Sequence, residues 1–156
     1  MEGSSDSINK TKWTESSANG IQAMDLVGRK LMDGGEAAFR LLDEIEAEAE
    51  AAKATLPDLA EAVWEAAESL RETTEWLLTQ DMADRFGTAV PFLRAFARVL
   101  GGHYHLRAAI AEPEGPHGRL ARFYITRLLP EHSGLLAHVR SGDAGLMEIT
   151  PDDLAA

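Results

Sequence analysis

The amino-acid sequence predicts an all-α protein, an up-down helical bundle of four main helices preceded by one shorter helix. Ala, Leu and Glu are abundant and aromatic residues make up only 6% of the chain, a composition that favours helix over strand. Apolar residues recur in steps of three and four. Gly and Pro punctuate these runs at 34–35, 57, 87 and 112–118. A chain of 156 residues fits one domain with one core, burying roughly two thirds of the surface its unfolded form exposes.

Residues 1–18 are polar, Ser-rich and unpatterned, and read as a flexible leader with Trp13 as its single anchor. The folded part, 19–150, opens with a first helix over Ile21–Met32, capped by Asn19. Its apolar face is Ile21, Met24, Val27 and Leu31, and Gly34-Gly35 stops it. A second helix spans about Glu36–Ala54, with Phe39, Leu42, Ile45 and Ala49 inward and Glu44, Glu48 and Lys53 outward. Pro57 ends that stretch.

Asp58 with Glu61 three residues later resembles a capping box, and it opens the longest stripe: Leu59, Val63, Ala66, Leu70, Thr73 and Leu77. This third helix is expected to reach Ala83. Thr88 caps a fourth, with Pro91 in its first turn and the stripe Phe92, Phe96, Val99, His103, Leu106 and Ile110. That helix is expected to be the most buried. Residues 112–118 form a loop. A fifth helix starts near Arg119, carries Leu120, Phe123, Leu128, Leu135, Leu136 and Val139, and is kinked or split by Pro130. Residues 151–156 are a tail, and Thr150-Pro151-Asp152-Asp153 can start a last turn.

A formal net charge of −11 argues against a nucleic-acid partner, because phosphate binding needs clustered Lys and Arg. The acid gathers between Glu36 and Glu75, whereas Arg94, Arg98, Arg107, Arg119 and Arg122 make a basic stretch, a pattern of complementary faces. The absence of cysteine excludes disulfides, thiolate metal sites and a cysteine nucleophile. No apolar run is long enough to span a bilayer and no secretory signal is legible, so a soluble cytoplasmic protein without a membrane partner is expected.

Few residues carry chemistry. His103 and His105, two apart on one helix, point to different faces and cannot share an ion. His103 reads as a core or interface histidine and His105 as a solvated one. His117, His132 and His138 are scattered. Carboxylate pairs are abundant on the second and third helices, but a diiron bundle requires a Glu followed three residues later by His in duplicate, and no such pair of motifs occurs. No metal is expected. There is no phosphate loop and no nucleophile elbow, and Gly101-Gly102 reads as a close helix contact.

One segment is specific: Asn19-Gly20-Ile21-Gln22-Ala23-Met24-Asp25-Leu26-Val27-Gly28-Arg29-Lys30-Leu31. It resembles the stretch after the catalytic carboxylate in a bacterial branch of the acyl-CoA dehydrogenases, where the pattern is Y-E-G-T-N-G-I-Q-A-x-D-L-V-G-R-K. Val90 to Arg107, Phe123-Tyr124 and Leu128-Leu129-Pro130-Glu131 are similar to that branch's extra C-terminal helical domain. The resemblance covers Asn19 to about Ile149. It implies membership of an FAD-dependent family that oxidises acyl-CoA thioesters at the α,β bond, a Glu removing the α-proton while the β-hydrogen passes to FAD as hydride. Gly20 and Gln22 match positions beside the flavin and are the only cofactor contacts the resemblance carries over.

The chain departs from the family where the proton is taken. Ala18 stands for Thr, Ser17 for Gly and Ser16 for the catalytic Glu, with Glu15 one position early. A serine without a partner base cannot do a carboxylate's work, so no catalytic residue is assigned. The domains that hold most of the flavin in this family are expected on another polypeptide or removed, leaving this chain inactive alone and without tightly bound FAD. Two roles follow: the C-terminal domain of a dehydrogenase, or a non-catalytic helical module that self-associates or docks onto a full-length acyl-CoA dehydrogenase.

Overall fold

The computed structural model describes residues 22–31, 34–142, 145 and 148–155. All regular structure among them is helical. A short helical start at 22–25 runs into a π-helical turn, Leu26–Lys30, closed by the Leu31 amide donating to the Leu26 carbonyl at 3.1 Å. Six α-helices follow: α1 Glu36–Ala52, α2 Pro57–Thr79, α3 Met82–Gly87, α4 Ala89–Ala111, α5 Pro116–Arg127 and α6 Glu131–Arg140. The four-helix count therefore divides further, while the all-α class stands.

Helix α4 is the centre, packing against every other element. It buries Phe92, Ala95, Val99, Gly102, His103, Leu106 and Ala109. Around it α1 contributes Leu42, Ile45 and Ala49, and α2 contributes Leu59, Val63, Ala66, Leu70, Thr73 and Leu77. The α2 stripe is the one the i, i+3, i+4 spacing predicts, and so is that of α1 except at Phe39, which is half-buried while Ala38 takes the buried position. Phe96 and Ile110 do not complete the α4 stripe, since Phe96 is half-buried and Ile110 exposed.

Gly34 and Gly35 stop the first segment with φ of 76° and 78°, a left-handed region that glycine enters without steric cost. Gly102 faces Leu129 and Val63, and a Cβ on Gly101 would overlap the Tyr124 hydroxyl. The small pair admits α5 and the α5–α6 corner close to α4, as expected. Pro130 splits the fifth predicted helix into α5 and α6, because its ring removes a donor and clashes with the preceding turn.

Several predicted boundaries move for local reasons. Helix α2 stops at Thr79, not Ala83, because Arg85 donates to the carbonyls of Leu78 (2.7 Å) and Gln80 (3.1 Å) while Asp81 Oδ1 accepts from the Asp84 amide at 3.0 Å. One helix is closed and the next opened within a few residues. Pro57 sits in the first turn of α2 after Leu56 as N-cap, so Asp58 is already inside the helix and no capping box forms. Thr88 stands at the N-cap of α4 as expected, but its side chain makes no cap bond: the hydroxyl donates back to the Asp84 carbonyl at 2.8 Å, closing α3. Helix α5 begins at Pro116, shortening the predicted loop.

The fifth predicted stripe is overturned in its first half. Leu120 and Phe123 are exposed, and Gly118, Ala121 and Ile125 face the core. Side-chain size suggested the first pair, but close approach to α4 selects the small residues. The Asn19 cap and the leader lie outside the described residues. Near the end, Thr150 and Asp153 make the expected turn, the Asp153 carboxylate accepting from the Thr150 amide (2.8 Å) and hydroxyl (2.6 Å), which holds its pKa below the ordinary range.

Candidate functional site

The segment carrying the flavin-side residues can be followed from Gln22. Gly20, Ser16 and Glu15 lie outside the described residues. Gln22 is exposed on the first turn, while Ala23, Val27 and Leu31 are buried. The apolar face of the first predicted helix is thus partly covered by the chain itself. Met24 is the exception, at 48% exposure. Gly28 explains how the segment seats: a Cβ there would stand 3.0 Å from the Phe86 ring and 4.0 Å from the Met82 methyl. Met82 and Phe86 lie over this glycine with much of their own surface exposed, so an apolar patch forms where the segment meets α3.

A second constellation lies between α1 and α4. Glu44 and Glu48, one turn apart on α1, face His103 and Arg107, one turn apart on α4. His103 Nε2 is 3.7 Å from Glu48 Oε2. Arg107 Nη1 is 3.7 Å from Glu44 Oε1, and its Nη2 is 3.5 Å from Glu48 Oε1. Burial pushes the His103 pKa down, opposed by Glu48 and Glu44 and aided by Arg107, so the ring is neutral near pH 7. His103 is the core histidine that its stripe position predicts. His105 is not simply solvated: it is half-buried, its ring 4.6 Å from that of Tyr124.

Sequence reasoning missed this convergence because it compared His103 with its own helix. The signal was present in two i, i+4 pairs, Glu44/Glu48 and His103/Arg107, but pairing them requires knowing that α1 lies against α4. A third feature is a cleft of about 270 Å³ lined by Glu65, Ser69, Ile125, Leu129, His132 and Ser133, among others. His132 Nδ1 donates to the Leu129 carbonyl at 2.7 Å.

The profile of the family described as "Acetyl-CoA dehydrogenase C-terminal like" matches residues 41–150. This chain belongs to that family. The matched span starts within α1 and covers α2 to α6, so the membership rests on the bundle and is independent of the segment at 19–31. No curated protein and no solved structure matches the chain. Among the described residues no helix is long and apolar enough to cross a membrane.

The family implies FAD, and the described residues do not fit it. A dinucleotide needs a concave site that buries most of its surface. Gln22, the one described residue that the resemblance places beside flavin, projects from an exposed turn and does not line the cleft. That cleft, at about 270 Å³, is smaller than pockets of even drug-sized ligands, roughly 300–1,000 Å³. No step of a dehydrogenation is assigned to these residues.

Proposed function

We propose that this chain is the C-terminal helical domain of an FAD-dependent acyl-CoA dehydrogenase and that it is inactive alone, supporting flavin-holding domains onto which it docks. The observation carrying this reading is the family match over 41–150, directly after a segment that resembles the family's flavin-side motif. The exposed Met24, Met82 and Phe86 support it further: they lie at that motif, where a second domain would cover them.

The test is to incubate the purified chain with FAD, remove free flavin by gel filtration, and add acyl-CoA with a dye acceptor. No retained flavin band and no dye reduction above a blank are expected. Adding the flavin-holding domains of a related dehydrogenase should give a complex on gel filtration that Met82→Asp with Phe86→Asp abolishes. A yellow chain that reduces the dye would overturn the reading and make Glu15, one position before Ser16, the candidate base.

A second reading is a self-associating, non-catalytic helical module. The exposed Leu120 and Phe123, nearly one turn apart on α5, favour it. Light scattering of the chain alone separates the two. A dimer dispersed by Phe123→Glu and indifferent to Phe86→Asp supports self-association, and a monomer at high concentration excludes it.

A further inference from the structure

We infer that Glu44 and Glu48 of α1 and His103 of α4 form a binding site for a divalent transition-metal ion of the zinc type, clamping α1 to α4. Each of the three offers one ligand atom, and these atoms lie within 4.8 Å of one another. Four-coordinate Zn²⁺, with bonds of roughly 2.0–2.1 Å, holds neighbouring ligands roughly 3.3 Å apart by tetrahedral geometry. The 3.7 Å between His103 Nε2 and Glu48 Oε2 is too long for a hydrogen bond but a few tenths from that spacing. Small side-chain adjustments close the site around an ion.

The histidine is what separates this cluster from an ordinary acidic surface. Its side chain is only 2% exposed, and its Nε2 faces Glu48 Oε2 across 3.7 Å. With its proton on Nδ1, His103 turns an Nε2 lone pair toward the two carboxylates, the form in which imidazole binds metal. One nitrogen and two carboxylate oxygens suit zinc and its neighbours, whereas magnesium and calcium favour oxygen alone. A fourth position is left for water.

Arg107 occupies the role of counter-ion at this place. Its two contacts, at 3.7 and 3.5 Å, are longer than good hydrogen bonds, and the side chain is 53% exposed. Such a pair contributes little, so the guanidinium can swing into solvent when an ion enters. Arg107 therefore competes with the metal, and removing it should tighten binding.

The test is calorimetric titration of Zn²⁺ into the untagged, chelator-treated chain in excess Mg²⁺, with thermal unfolding measured in parallel. One ion per chain and a rise in melting temperature are expected. Affinity should fall at least tenfold in Glu48→Gln and in His103→Gln, and rise several-fold in Arg107→Gln. Glu44→Gln and Glu48→Gln change half-buried or exposed side chains, so they keep the test valid if the buried His103 variant fails to fold. His117→Gln, which removes the exposed His117–Glu112 pair at 2.9 Å, should bind unchanged. Absence of binding in the wild-type chain, displacement by Mg²⁺, or binding that survives Glu48→Gln would each overturn the assignment.

Discussion

Arg71 on α2 grips Glu46 on α1 with two parallel bonds, Nε to Oε1 at 2.8 Å and Nη2 to Oε2 at 2.9 Å. The same Nη2 also donates to Asp43 Oδ1 at 2.7 Å. Both partners of the Glu46 pair are only 19% exposed, and Glu46 above all holds the guanidinium's pKa further above its ordinary value. The fork geometry needs arginine, because lysine offers a point charge without the planar pair of donors.

Arg71→Lys should therefore destabilise the fold by about 1 kcal/mol, and Arg71→Ala by about 1–2 kcal/mol. A double-mutant cycle with Glu46→Gln in urea should show a coupling above about 0.5 kcal/mol. A cycle that closes to zero would show the fork to be incidental.

Phe92 and Phe96 lie one turn apart on α4 and looked equivalent in the sequence, but only Phe92 is wholly buried. Phe92→Ala should cost about 3–5 kcal/mol, and Phe96→Ala clearly less. Denaturant titrations giving equal losses would contradict this burial pattern.

Two glycines in helices have opposite expectations. A Cβ on Gly118 would overlap the Pro113 carbonyl oxygen, a backbone atom that cannot step aside, whereas a Cβ on Gly134 meets nothing within 4 Å. Gly118→Ala should destabilise by about 1–3 kcal/mol. Gly134→Ala should stabilise by roughly 0.5–1 kcal/mol through helix propensity. Melting temperatures moving in the same direction would refute the contrast.

Glu131 on α6 accepts from Arg94 Nη2 and Arg98 Nε, each at 2.6 Å, just beyond the Pro130 break. Its removal should loosen α6 more than unfold the chain, since these groups are partly exposed and such pairs contribute about 0–1 kcal/mol each. Glu131→Gln should raise protease cleavage around 128–131 with little change in the denaturation midpoint. Unchanged cleavage would show that Pro130 and the buried Leu129 fix the corner alone.

The sequence disclosed the helices whose large apolar residues repeat without competition. The stripe of α2 was legible to the residue and that of α1 from Leu42 onward, because Leu42, Ile45, Leu59, Val63 and Leu70 are both the large and the buried side chains, whereas at the start of α1 Ala38 is buried and the larger Phe39 only half-buried. In α5 those properties part, with Ala121 buried and Phe123 exposed, and size was followed over period. Helix ends were least legible where a side chain from elsewhere decides them, as Arg85 does for α2. The flavin-side motif was read from residues 19–31, of which Gln22 to Leu31 are described, and the Glu44, Glu48, His103 cluster escaped because its members come from two helices over 50 residues apart.

The central placement of α4 also sets how the molecule breathes. Because it touches every other element, its mid-helix amides reach water only when the whole bundle comes apart, and they should exchange with deuterium at the rate of global unfolding. Helix α3 buries none of its own residues and has no such hold. Its amides should exchange through local opening, orders of magnitude sooner, so that the end of the molecule bearing Met82 and Phe86 breathes while the rest stays closed.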